Sequence, residues 1–167
     1  WGSADGLSVL GLGFAAPVLG GFADATRCVS AVPGGVGAAT WDPAGRGIGI
    51  VVIADRRLPF PDGLFDRAVI LHGLEETEAP RGFLRELWRV LAPEGRIVVA
   101  AANRRGLWAR AESTPLGHGR PWTRNQLTTL MSESLFQVTA STHALHMPPI
   151  PWAMISTASE AWERAGE

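Results

Sequence analysis

The sequence predicts an α/β domain with a doubly wound, mostly parallel sheet and helices on both faces. Three observations carry that expectation. Short apolar runs alternate with helical or helix-sized segments along the chain. The first run, residues 8–13 (SVLGLG), ends in a glycine turn that leads directly into a helix-compatible stretch. Residues 80–91 carry an apolar stripe at helical spacing and are followed by another apolar run. Right-handed crossovers between parallel strands then place a ligand crevice at the strands' carboxyl ends.

Taken in order, residues 8–13 read as a buried parallel strand. Residues 16–25 follow as a short helix with Pro17 in its first turn, where a missing N–H costs nothing. Residues 27–32 (RCVSAV) form a second strand. Residues 33–49 are too rich in glycine and proline for a helix. Residues 50–54 (IVVIA) form a third strand, starting a residue or two earlier. Residues 58–63 (LPFPDG) make a proline-stiffened turn into a fourth strand, residues 65–71 (FDRAVIL). In the helix at 80–91, Phe83, Leu84, Leu87, Trp88 and Leu91 share one face, and Pro93 with Gly95 marks the stop. Arg81, Arg85 and Arg89 repeat along that helix and read as a solvated stripe. Residues 96–102 form a fifth strand, 123–135 a helix capped by Thr123, 136–145 a sixth strand, and 152–165 a last helix.

At 167 residues the chain reads as one domain spanning residues 1–167, large enough to fold without a metal or disulfide. Its net charge of −1 gives no electrostatic case for nucleic acid or a membrane surface. Nothing at the start reads as a signal peptide, and the expected location is cytoplasmic. Cys28 is the single cysteine, which excludes an internal disulfide and a thiolate zinc cluster. All fifteen cations are arginine. The lack of lysine excludes Schiff-base chemistry and the P-loop lysine. The lack of tyrosine removes any phenol acid or base. The arginine-only, alanine- and glycine-rich composition suggests a bacterial source.

Gly11, Gly13 and Ala16 fit G-x-G-x-x-[G/A] between a strand and a helix. Small residues there let backbone approach a nucleotide-like ligand, although glycines also simply make tight turns. A dinucleotide site normally has an acid at the end of the second strand. Here that strand ends Ala31-Val32-Pro33. Asp24 lies at its other end, and Asp42 is the nearest later acid.

The middle of the chain carries a family pattern. Residues 58–66 (LPFPDGLFD) resemble the LPFPDGSFD signature of class I S-adenosylmethionine-dependent methyltransferases of the type 11 group. Residues 85–96 (RELWRVLAPEGR) are similar to that family's REI-RVLKPGGRL, and residues 117–123 (GHGRPWT) to its H-x-R-x-[FY]-[ST]. The resemblance covers roughly residues 7–140. It implies a Rossmann-like sheet with S-adenosylmethionine across the carboxyl ends of the first two strands, S-adenosylhomocysteine as product, and a small-molecule acceptor. It also implies a cofactor site of Gly11, Leu12, Gly13, Phe14, Ala15, Asp55, Arg56 and His72.

The sequence departs from the family in places. Ala15 stands where a third glycine is common, which requires a negative φ there. The second-strand acid is absent. The acid of GDAxxLPF falls at Ala54, with Asp55 one residue later. HVLEH becomes His72-Gly73-Leu74-Glu75-Glu76. The family's seventh strand has no counterpart after Met147, so truncation of the domain before that strand stays open.

His72 and His118 are the candidate catalytic residues, His72 following the fourth strand and His118 lying in a loop over the expected pocket mouth. Arg104, Arg120 and Trp122 are candidate acceptor contacts, Arg104 with Arg105 suiting an anion. Glu75 and Glu76 read either as an acid pair or as early-turn helix acids. Trp41 and Trp108, with Trp122, read either as a pocket floor or as buried packing. His143 and His146, three apart on the expected sixth strand, would point to opposite faces, and no metal is expected. The functional expectation is methyl transfer to a small molecule. The alternative is a methyltransferase-like module that no longer catalyses and serves a protein partner or a second copy of itself. A nicotinamide oxidoreductase would lack the second-strand acid and leave LPFPDG unexplained.

Overall fold

The computed structural model describes residues 3–34, 49–53, 57–106 and 119–143. Five strands form one parallel sheet: β1 Ser8–Gly13, β2 Arg27–Pro33, β3 Gly49–Ile53, β4 Phe65–Leu71 and β5 Leu91–Ala100. Their order is β3-β2-β1-β4-β5. The chain builds outward from β1 to β3, then returns to the other side of β1 for β4. That reversal puts the topological switch point between β1 and β4.

The residue pattern explains the layers. In β1, Leu10 and Leu12 face one way and Val9 the other. Leu10, Leu12, Ala31, Ala68 and Ile70 join Phe83, Leu84, Leu87 and Val90 of α2 (Pro80–Val90) and Leu130 and Met131 of α3 (Arg124–Glu133) in the main core. Val9 packs with Leu19 of α1 (Ala16–Leu19) in a smaller core on the opposite side. Helices therefore cover both faces, as expected. Thr123 starts α3 with a full capping box: its side chain accepts from the Gln126 amide, and the Gln126 side chain accepts from Thr123 N.

Several local expectations need correction. The first helix stops at Leu19 and gives way to a single 3₁₀ turn, Gly20–Phe22, because consecutive glycines weaken it. Helix α2 ends at Val90, and Leu91 already belongs to β5. The Pro93-Glu94-Gly95 stop lies inside that strand as an irregularity, with Glu94 at φ 61° and a register shift opposite Phe65–Arg67. Trp88 is 52% exposed, and Val90 takes its place on the buried stripe. The expected sixth strand at 136–145 is absent over its described part, residues 136–143, and so His143 is on no strand. Residues 33–34 and 49 are the described ends of the glycine-rich connector. The last helix, at 152–165, together with Trp41, Asp42, Ala54, Trp108 and His146, lies outside the described residues.

The two signature stretches turn out to be halves of one clamp. Arg89 on α2 donates to the carbonyls of Leu58 (3.0 Å) and Phe60 (2.9 Å) and to the carboxylates of Asp62 and Glu86. Glu86 accepts from Leu58 N, and Gly63 N donates to the Arg89 carbonyl. Edge-to-face packing of Phe60 on Phe65, with ring centroids 5.0 Å apart, closes the turn. Asp66 finishes the signature at the other end of the sheet, accepting from Ser8 N at 2.8 Å and so holding the start of β1. Arg89 is thus no part of a solvated stripe. Arg81 does stay at the surface, paired with Glu133 of α3, and such exposed pairs contribute little.

Hydrogen bonding from Arg89 holds the Glu86 carboxyl below the ordinary glutamate range. A depressed folded-state value stabilises the protein above the unfolded value and loses that contribution as pH falls through the folded one. We therefore expect Glu86→Gln to destabilise at neutral pH. The difference from wild type should shrink as pH drops below about 4.3. Urea denaturation of both proteins at neutral pH and at about pH 3 checks this.

Candidate active site

The site is built where the carboxyl ends of the strands meet. Gly13 ends β1 at φ +71°, a conformation that side chains rarely adopt. A Cβ there would lie 2.5 Å from the Leu71 carbonyl and 2.9 Å from the Gly73 backbone. Phe14 N donates to the same carbonyl at 2.8 Å. The ends of β1 and β4 are thus drawn together at the switch point. Gly11 serves a different purpose: a Cβ there would meet Leu19 Cδ1 at 2.7 Å, so it lets α1 lie on the sheet. Leu12 is fully buried in the main core, leaving only its backbone near the turn. Ala15 is fully buried and has φ −74°, the negative value its side chain requires. Phe14 is half exposed beside the turn.

Above this join lies a small, largely enclosed crevice lined by Gly13, Pro33, Ile53, Gly73, Glu76, Thr77 and Phe83. It touches the ends of β1, β2 and β3 and the segment after β4. Among the described residues its lining holds one carboxylate, one hydroxyl and no cation. Pro33 confirms that β2 brings no acid to it. Sequence reasoning missed Gly73, Thr77 and Phe83 as lining residues. The HVLEH comparison spans only residues 72–76, so it reaches Gly73 without marking it and carries no signal for Thr77 or Phe83.

His72 follows β4 in the left-handed region, at φ 50°, which costs about 1 kcal/mol for a residue with a side chain. His72 N donates to Ala100 O at 2.9 Å. The imidazole Nδ1 lies 3.0 Å from Glu75 Oε1. Glu75 is buried, and the same oxygen accepts from Ala102 N at 2.6 Å. The Glu75 carbonyl accepts from Arg120 N at 3.0 Å. Gly119, at φ +76°, presses against Glu75, since a Cβ would lie 2.9 Å from its Cβ and carbonyl. Neither an acid pair nor an exposed helix start describes Glu75; it ties together the segments after β4, after β5 and before α3.

Those ties bring the candidate acceptor residues to one place. Arg104 N donates to Trp122 O, Arg104 Nε to Pro121 O, and Trp122 N to Ala102 O. Trp122 is half-buried against the main core, and its indole N–H is buried without a protein partner. The Arg105 side chain reaches no contact with this group, although its backbone N bonds Asn103 Oδ1. His118, Asp55 and Arg56 lie outside the described residues. Cys28 sits in β2, half-buried, where burial pushes its thiol up and away from thiolate chemistry. Among the described residues no group of histidine, cysteine and carboxylate side chains could hold a metal ion.

A doubly wound parallel sheet with a glycine-floored crevice at its switch point defines a Rossmann-like α/β domain. Comparison with known proteins narrows this. A family model described as a methyltransferase domain matches residues 10–99, more than half of the chain. The chain belongs to that family, the type 11 group of class I S-adenosylmethionine-dependent methyltransferase domains. A 42-residue stretch is 52% identical to a demethylmenaquinone methyltransferase of Thermus thermophilus, covering 25% of this chain and 19% of that protein. A Thermotoga maritima structure, described as an S-adenosylmethionine-dependent methyltransferase and possible histamine N-methyltransferase, aligns with a TM-score of 0.60 at 19% identity. It covers 77% of this chain and 63% of that one. The [4+2]-cyclase SpnF aligns with a TM-score of 0.62 at 24% identity, over 78% of this chain and 50% of that one. The chain thus spans less than two thirds of each of these proteins. The structural matches show the shared fold, and the cyclase among them shows that this fold hosts different chemistry. No described helix is long and apolar enough to cross a membrane.

Proposed function

We propose that this domain transfers a methyl group from S-adenosylmethionine to a small-molecule acceptor. The observation that carries the reading is the crevice at the carboxyl ends of β1–β4, floored by Gly13 and Gly73, the residue that directly follows His72. Its lining suits the cofactor: Glu76 and Thr77 would offer a carboxylate and a hydroxyl, the latter already accepting from Ala79 N at 3.3 Å, to a cationic, hydroxyl-bearing ligand, and Ile53 and Phe83 would offer apolar surface. The glycine turn Gly11–Ala15 would pass under the methionine part, with Asp55 and Arg56 toward the adenine. The cofactor supplies a methyl on a positively charged sulfur that departs as a neutral thioether with the carbon–sulfur electron pair. The chain's task is then mainly alignment, and proximity with orientation can contribute about 7–11 kcal/mol toward the barrier.

In this reading His72 and His118 serve the acceptor side as proton acceptors or orienting groups. Arg104, Arg120 and Trp122 border the acceptor, and an arginine pair there suits an anionic or strongly polar molecule. The competing reading, a binding module without catalysis, rests on Pro33, which leaves β2 without a carboxylate for ribose hydroxyls. Titration calorimetry with S-adenosylmethionine and S-adenosylhomocysteine separates the two. Micromolar binding is expected. No heat at millimolar cofactor, with a folded sample, would move the assignment to the binding module.

A further inference from the structure

We propose that Glu75 is a positioning residue: it holds the His72 imidazole as the Nδ1–H tautomer and so presents Nε2 as the proton acceptor for the incoming group. This rests on the methyltransferase reading and deepens it, because it sets the acceptor's class. The group methylated is one that must lose a proton, a hydroxyl or an acidic carbon, rather than an amine with a free electron pair.

The geometry makes the case. A neutral imidazole donates through one nitrogen and accepts through the other. An ionised carboxylate only accepts, so a Glu75 Oε1 at 3.0 Å from Nδ1 requires the proton to sit on Nδ1. The oxygen is not free to adapt to the ring. It is fixed by the Ala102 amide at 2.6 Å, and the residue carrying it is held by the Arg120 amide and by contact with Gly119. The ring is fixed as well, since its backbone turns through the left-handed region and bonds to Ala100. The carboxylate side chain is 3% exposed, whereas that of the histidine is 28% exposed, so the pair is anchored inside and open on the imidazole side. The next residue, Gly73, already lines the crevice. This is a base with a buried orienting carboxylate, the relation that nucleophilic and acid–base sites repeat on unrelated folds. With neither tyrosine nor lysine in the sequence, the proton acceptors left are histidine and carboxylates, and His72 is the one held by a buried orienting carboxylate.

The step balances. The acceptor's proton would pass to His72 Nε2, the acceptor's own electron pair would form the bond to the methyl carbon, and the broken carbon–sulfur bond's pair would leave with the neutral thioether. The resulting imidazolium is stabilised by the Glu75 carboxylate. Only a proton carried on Oε1 itself would give the reverse arrangement, donated to Nδ1 and leaving the ring proton on Nε2. The two arrangements make opposite and measurable demands on the ring.

Long-range proton–nitrogen correlation spectra of the nitrogen-labelled protein at about pH 8, above the histidine range, read the tautomer directly, without cofactor or acceptor. His72→Gln assigns the signal. The expected pattern is Nδ1–H in the wild type. It should persist in Glu75→Gln, whose Oε1 still accepts, and revert to the usual Nε2–H in Glu75→Leu. An Nε2–H ring in the wild type overturns the proposal, as does an Nδ1–H ring that survives Glu75→Leu. If the leucine variant does not fold, the wild-type tautomer decides alone. Failure here with micromolar S-adenosylhomocysteine binding removes the dyad and leaves the methyltransferase reading standing. The correct tautomer without cofactor binding does the reverse.

Discussion

Gly13→Val lowers the unfolding free energy by about 2–5 kcal/mol and abolishes cofactor binding. Two costs add. A β-branched residue at φ +71° is forced into the left-handed region, at about 1–2 kcal/mol. Its Cβ would also stand 2.5 Å from the Leu71 carbonyl, which the Phe14 amide already holds. Relieving that overlap means moving the end of β1 away from β4, and overpacking of this kind costs about 1–3 kcal/mol. Gly20 provides the control. It has an ordinary helical φ of −57° and open space where a Cβ would go. Gly20→Ala should therefore be neutral or stabilise by about 0.5 kcal/mol. Urea denaturation of the three proteins checks both. A well-folded Gly13→Val with wild-type stability would mean that the switch-point join is not as tight as described.

Arg89→Met removes about 2–4 kcal/mol of stability. The methionine keeps much of the stem's packing but leaves the Leu58 and Phe60 carbonyls without their donor and the Glu86 carboxylate without its partner. Each lost bond counts for about 1 kcal/mol, more where a charge is involved. The Asp62 end adds little, because that carboxylate is largely exposed. Arg85, one turn earlier, is exposed, so Arg85→Ala should stay within about 0.5 kcal/mol of wild type. Thermal or urea unfolding of the pair separates a structural clamp from a solvated stripe.

The contrast between these arginines shows what a single chain reveals about itself. Strands β1 and β4 are legible to the residue, because their apolar runs end at glycine, proline or charged turns. The stripe of α2 is legible because helical spacing marks its face, although spacing alone could not tell Trp88 from Val90 at the stripe's edge. What stays hidden is long-range. Arg89 looks like its neighbours until the LPFPDG turn, 27–31 residues upstream, folds against it. Glu75 looks like a helix-start acid until Ala102, 27 residues on, supplies its hydrogen bond. The stretch 136–143 contains residues that suit a strand, but a strand needs a neighbour to pair with, and no described strand pairs with it. The candidate site shows the same division. The glycine turn and His72 were visible as motifs, while Gly73, Thr77 and Phe83 reach the crevice only through packing.

The central claim is that the cofactor lies at the carboxyl ends of β1–β4. Mapping backbone amide shifts during titration with S-adenosylhomocysteine tests it most directly. The account predicts the largest changes at Gly13, Phe14, Gly73, Glu76 and Thr77, with the amino ends of the strands, around Ser8 and Asp66, unmoved. Saturable binding whose shifts cluster away from that crevice, leaving Gly13 and Gly73 unchanged, would contradict it.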